Sequence, residues 1–280
     1  MLVSRESIVL PDGTSLMMRH WGARDPVFVL IHGLGDNASV WATFATAVAH
    51  CGSCVAIDSR GHGDSQWDRA GRYTVALHAS DVDFVLERLG LHSILLIGHS
   101  LGAQIAIHVA AAAPQRVRGV VLVEGGPEMS RTALDAIRTA FIEQPRRYPS
   151  VPDYADYLRR KLPLGQPVLL REVAASFLRM HAGGELELKC DPAVVNALLE
   201  TSDDVLWRLL ERMSRDVLLV RGAWSGVLGR AAAERISQRI NGCQIHTVPN
   251  AGHAVMLENP DNLSSAVSQF ALKCGIGAAP

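Results

Sequence analysis

Two residues far apart in the chain have the type and setting for nucleophilic catalysis. Ser100 lies in Gly98-His99-Ser100-Leu101-Gly102, a G-x-S-x-G pattern that arises often by chance and takes its meaning from context. Here an apolar run at residues 93–97 leads into it and an alanine-rich helical stretch at 103–113 leads out. Strand, tight turn and helix in that order put the serine on a strained bend, with its hydroxyl exposed at the strand's carboxyl end. Glycines on either side remove Cβ atoms that would clash as strand and helix close on each other. The helix start adds backbone N–H groups and a positive dipole end, which favour an oxyanion.

A serine hydroxyl is a weak nucleophile at neutral pH and needs a base within hydrogen-bond reach. His253 fits that role. It ends Pro249-Asn250-Ala251-Gly252-His253, after the last strand-like run and before a C-terminal helix expected over residues 260–273. Other histidines fit worse: His32 and His62 stand in glycine-rich turns, His99 is inside the pentapeptide, and His78 and His108 fall on helical stretches.

For these two side chains to meet, the intervening elements must bring their loops to one sheet edge. Apolar runs at residues 27–31, 54–57, 93–97, 117–123, 217–220 and 244–248 read as strands. They alternate with amphipathic stretches such as 75–89, where Ala79, Val82, Val85, Leu86 and Leu89 recur at helical spacing. That order predicts an α/β fold, a mostly parallel sheet flanked by helices. A hairpin is expected at the start, with residues 7–10 and 16–19 flanking Pro11-Asp12-Gly13.

Residues 127–212 break the rhythm. They show no strand-like run and read as helices separated by Pro145, Pro149, Pro152, Pro163, Pro167 and Gly183-Gly184. The expected organisation is a core of residues 1–126 and 213–280 with 127–212 inserted as a helical cap, or lid. The charges of the insertion nearly cancel, so Arg146, Arg147, Arg159 and Arg160 read as a solvated face.

Across the 280 residues, 27 Lys+Arg stand against 28 Asp+Glu, so no bulk field favours nucleic acid or an anionic membrane. Residues 1–12 have no apolar core of a secretory signal, and the uncharged stretch 37–57 is broken by serines, threonines and Gly52. Neither export nor a membrane span is expected. Five cysteines fit reduced thiols in a cytoplasmic compartment. Cys51-Gly52-Ser53-Cys54 has CxxC spacing but no second Cys/His pair nearby, so it reads as two small buried residues rather than a redox or metal site. No metal or organic cofactor is implied; the expected partner is a small, hydrophobic substrate, and the chain leaves a homo-oligomer open.

His32-Gly33-Leu34-Gly35, Asp58-Ser59-Arg60-Gly61-His62-Gly63-Asp64-Ser65, Gly98 to Gly102 and Gly252-His253 follow one another as they do in the α/β-hydrolase superfamily. The chain resembles that superfamily over nearly its whole length, least across 127–212, where the superfamily places a variable cap. The resemblance implies Ser100 as nucleophile and His253 as base. It also implies an oxyanion hole from the backbone N–H groups of Leu34 and Leu101, and a structural turn at 58–65. The usual acid follows the strand at 217–220, yet Arg221-Gly222-Ala223-Trp224-Ser225-Gly226-Val227-Leu228 contains no carboxylate. Ser225 and Gly226 stand where relatives carry Asp, and Asp216 is at the wrong end of the strand. A minority of the superfamily draws its acid from the end of the preceding core strand, where this chain has Glu124. Such an acid can enter from either strand end if its carboxylate reaches Nδ1. Glu124 could instead only bond loop amides, leaving a Ser/His dyad.

The leading expectation is a serine hydrolase that cleaves an ester, lactone or thioester through a Ser-His-Glu triad and an acyl-enzyme. A carbon–carbon bond hydrolase uses much the same residues. Cofactor-free lyase or oxygenase chemistry with His253 as base, and a binding protein with a vestigial triad, are the other classes. Families that attack with a carboxylate are disfavoured by serine at position 100. Met129, Phe141, Tyr154, Tyr157, Leu158, Phe177, Met180 and Trp207 fit a mainly apolar pocket or an ordinary cap core.

Overall fold

The computed structural model describes residues 2–200, 202–213 and 215–277. Six strands come first: β1 Val3–Val9, β2 Ser15–Trp21, β3 Pro26–Ile31, β4 Ser53–Asp58, β5 Ile94–His99 and β6 Val117–Val123. Three short strands follow, β7 Arg147–Tyr148, β8 Leu178–Met180 and β9 Leu186–Leu188, and then β10 Asp216–Gly222 and β11 Cys243–Val248. The main sheet runs β1-β2-β4-β3-β5-β6-β10-β11. It is parallel from β4 through β11, while β1 and β2 form the expected antiparallel hairpin and β2 joins β4 antiparallel.

The central strands are apolar along their length because both faces are covered. Val29, Ile31, Val55, Ile57 and Leu96 face one core, shared with helices Val75–Arg88, Leu101–Ala112 and Arg230–Arg239. Their alternates Phe28, Leu30, Cys54, Ala56, Leu95 and Ile97 face the other, with Ala42–Ala47 and Pro260–Lys273. Cys54 is thus a buried β4 residue, and it and Cys51 are free thiols.

Across 127–212 the structure differs from the all-helical expectation. Besides helices Arg131–Glu143, Val151–Lys161 and Pro167–Ala174, it contains a three-stranded antiparallel sheet, β7-β9-β8. Strands of two or three residues, partly exposed, leave no period-two signature to read. Arg146 also departs from the solvated face, donating from Nη2 to the Cys190 carbonyl. Much of this stretch sits on loops at the carboxyl ends of the parallel strands: Asn37 Nδ2 donates to Ser176 O at 3.1 Å, Asp191 N to Gly61 O at 2.8 Å, and Gln166 N to Leu257 O at 2.9 Å. Helix Asp203–Glu211 instead packs beside Leu101–Ala112, with Leu206, Trp207 and Leu210 in the core.

Candidate active site

Ser100 sits between β5 and the helix Leu101–Ala112 with φ 53 and ψ −114, a backbone state that non-glycine residues seldom hold away from functional sites. Its N–H donates to Val123 O on β6 at 2.9 Å, and its carbonyl accepts Ala103 N–H at 3.0 Å. The turn is too tight for flanking side chains. A Cβ on Gly98 would lie 2.1 Å from Gly102 O, as the strand–helix approach requires. The reason for Gly102 is different: its Cβ would lie 2.4 Å from Ile31 O and 2.6 Å from His32 O, so the helix start is pressed against the end of β3.

His253 arrives from the loop after β11. Its Nε2 is 3.1 Å from Ser100 Oγ and its Nδ1 is 3.1 Å from Glu124 Oε2. With Nδ1 carrying the hydrogen toward the carboxylate, Nε2 presents its lone pair to the serine hydroxyl. Glu124 is fully buried and Ser100 is 6% exposed, while the imidazole keeps 26% of its side-chain surface open. Burial holds the His253 pKa below its ordinary value of 6.5, against the opposing pull of the Glu124 hydrogen bond.

Glu124 follows β6 with φ 53. Its N–H donates to Val220 O at 2.8 Å, and its side chain crosses to the exit of β10. There Oε1 accepts Gly222 N–H at 2.7 Å, while Oε2 accepts both the Ser225 hydroxyl at 2.5 Å and the His253 ring. Both readings of this residue therefore describe real contacts, since it bonds a loop amide and reaches the imidazole. Leu34, in the turn after β3, and Leu101, next to Ser100, have backbone N–H groups without a protein acceptor among the described residues.

Two supporting residues escaped the sequence reading. His99 donates from Nε2 to the His253 carbonyl at 2.8 Å, with the two rings 4.8 Å apart. Glu258, buried, accepts Gly252 N–H on Oε2 at 2.6 Å, and burial raises its pKa. The available signal was Glu258 as the one charge closing the apolar run Ala254-Val255-Met256-Leu257.

Segment 58–65 is scaffold. Asp58 accepts Ala38 N–H at 2.7 Å and Asp64 N–H at 2.9 Å. Arg60, buried, bonds Asp81 twice at 2.8 Å, Asp12 at 2.7 Å and Asp68 at 2.9 Å. His32 accepts Ser59 N–H at 2.9 Å, tying the Leu34 turn to the exit of β4.

An eight-stranded sheet of this order, a serine on the β5 bend and a histidine after the last strand form a recognisable ensemble, and residues 28–266 match the alpha/beta hydrolase family. The chain belongs to that family. Among alpha/beta hydrolases it is 26% identical to a 2-(acetamidomethylene)succinate hydrolase of Mesorhizobium japonicum, over 88% of this chain and 87% of that one. It is 29% identical to an esterase of Mycobacterium tuberculosis, over 88% and 83% of the two chains. A crystal structure of E-2-(acetamidomethylene)succinate hydrolase superposes with a TM-score of 0.87 and 25% identity, covering 96% of this chain and 99% of the other. These relatives are hydrolases, which supports hydrolase activity here. Among the described residues no group of three or more His, Cys, Asp and Glu side chains could hold a metal ion, and no helix is long and apolar enough to cross a membrane.

Proposed function

We propose that the protein is a serine hydrolase that cleaves an ester, thioester or lactone carbonyl. The observation that carries this reading is the continuous run of contacts from Glu124 through His253 to Ser100, beside two backbone N–H groups left without acceptors. In this mechanism Ser100 Oγ attacks the carbonyl carbon as His253 Nε2 takes its proton. The tetrahedral oxyanion is held by the N–H groups of Leu34 and Leu101, a contribution of about 10²–10³ in rate per donor in comparable sites. His253 then protonates the departing alcohol or thiol. The acyl-enzyme is released when the same nitrogen deprotonates a water that attacks its carbonyl, returning the proton to Ser100. Glu124 keeps the imidazole in the required tautomer and stabilises its protonated form.

Residues 127–212 act as the cap in this reading. Gln166 meets the backbone of Leu257 near the base, and the Phe141 ring lies against Gly35 in the oxyanion turn. The Phe141 ring beside that turn favours a hydrophobic acyl group. A fluorophosphonate probe and p-nitrophenyl esters of graded length test the proposal together. Parent protein labels at Ser100 and turns over, and Ser100→Ala abolishes both. A Ser100→Ala protein that still turns over the ester overturns the acyl-enzyme.

A further inference from the structure

We infer that Ser225 is a positioning residue for Glu124: it stands where this fold usually supplies its acid and holds the carboxylate that enters from the adjacent strand. The role rests on the triad proposed above. The Ser225 hydroxyl has one hydrogen, and it goes to Glu124 Oε2 at 2.5 Å. Its lone pairs receive the N–H groups of Val227 and Leu228, each at 3.1 Å. All of its hydrogen-bonding capacity is thereby committed, so its orientation is fixed by the turn.

The consequence falls on Glu124. Gly222 N–H holds Oε1 and Ser225 holds Oε2, and two anchors on one carboxylate fix both its position and its plane. That plane presents Oε2 to His253 Nδ1 at 3.1 Å. Without the hydroxyl, Glu124 keeps one backbone anchor and can turn about it. Oε2 also accepts from Ser225 and His253 at once, so Ser225 draws off charge that would otherwise favour the imidazolium.

The same geometry makes position 225 competent to carry an acid. Ser225 Oγ and His253 Nδ1 bond to one oxygen, so they lie within two hydrogen-bond lengths of each other. An aspartate there can accept the N–H groups of residues 227 and 228 with one oxygen, as in an Asx turn, and offer the other toward Nδ1.

Four variants test the role, with p-nitrophenyl acetate as substrate: Ser225→Ala, Ser225→Thr, Glu124→Gln, and Glu124→Gln with Ser225→Asp. Ser225→Ala lowers kcat about tenfold, the scale of a hydrogen bond to a charged group, with KM held. It also shifts the acidic limb of kcat/KM, because the charge that Glu124 presents to the imidazole changes, which a support role remote from the triad does not do. Ser225→Thr, which keeps the hydroxyl, stays within about threefold of the parent. Glu124→Gln loses about 10³–10⁴, and adding Ser225→Asp restores about tenfold or more of it. Parental rate and pH limb in Ser225→Ala overturn the role of Ser225, a double variant no better than Glu124→Gln overturns the competence of position 225 to carry an acid, and both results leave the triad standing. Full activity in Glu124→Gln overturns the triad itself.

Discussion

Gly102→Ala is the most direct test of how the bend at Ser100 is held. The added methyl lies 2.4 Å from Ile31 O and 2.6 Å from His32 O, roughly 1 Å inside contact distance. Both oxygens are backbone, so neither can swing aside as a side chain could. Relief requires the helix start to retreat from β3, or the end of β3 to retreat from the helix. The first moves Ser100 and the Leu101 amide; the second moves the turn carrying the Leu34 amide. Overpacking of this kind costs about 1–3 kcal/mol, and alanine in a helix returns up to about 1 kcal/mol. With that return the net loss of stability is only about 0–2 kcal/mol. The rate falls much further, because a displacement of about 1 Å at a reacting centre costs on the order of 100-fold. Urea unfolding and kcat on p-nitrophenyl acetate measure the two effects. Gly90→Ala is the control: Gly90 has φ 62 and nothing within 4 Å of its added Cβ. It costs about 1–2 kcal/mol in backbone strain and leaves kcat unchanged. A Gly102→Ala enzyme with parental kcat, or a Gly90→Ala enzyme slowed as much, refutes the reasoning.

The pH profile gives a second prediction. His253 must be neutral to take the serine proton, and burial holds its pKa below 6.5. Activity is therefore full above that value and falls as pH drops through a midpoint below it. Glu124 pulls the His253 pKa upward, so Glu124→Gln moves the midpoint lower still; kcat/KM against pH checks both directions, and a parental midpoint above 6.5 contradicts them. A third concerns the scaffold. Arg60→Met leaves the buried carboxylates of Asp68 and Asp81 without their shared cation, and removing one partner of a buried ion pair costs about 3–5 kcal/mol. A loss below about 1 kcal/mol on urea unfolding at pH 7 shows that the cluster is screened or relaxed.

What the sequence disclosed follows from which contacts leave a local pattern. The parallel strands are covered on both faces, so they read as apolar runs, and only one or two residues at their ends were misplaced. Asp58 closes β4 and Arg221 and Gly222 close β10 because their backbones continue the ladder, whatever their side chains are. Ser100 was legible because glycine, serine and glycine between a strand and a helix have a steric reason. His253 was legible because loop position and the need for a base coincide. β7, β8 and β9 were not, since strands this short are set by tertiary pairing rather than by their own residues. His99 and Glu258 were missed for a related reason: each serves a backbone group in the His253 loop, and the partner is nowhere near in sequence or gives no pattern of its own.

The acid shows most clearly why strand adjacency matters more than sequence position. β6 and β10 are parallel neighbours with Val123 opposite Val220, so their loops leave the sheet side by side. His253 Nδ1 offers one hydrogen, and one acceptor from either loop satisfies it. Entry from β6 has a backbone requirement, however. Glu124 holds φ 53 while its N–H continues the ladder to Val220 O, which turns the side chain across β10 instead of along β6. A non-glycine residue in that region costs about 1–3 kcal/mol, and glycine, which would relieve it, has no carboxylate. The strain is thus tied to the side chain that causes it, and the bonds from Gly222 and Ser225 on the neighbouring strand's exit offset it.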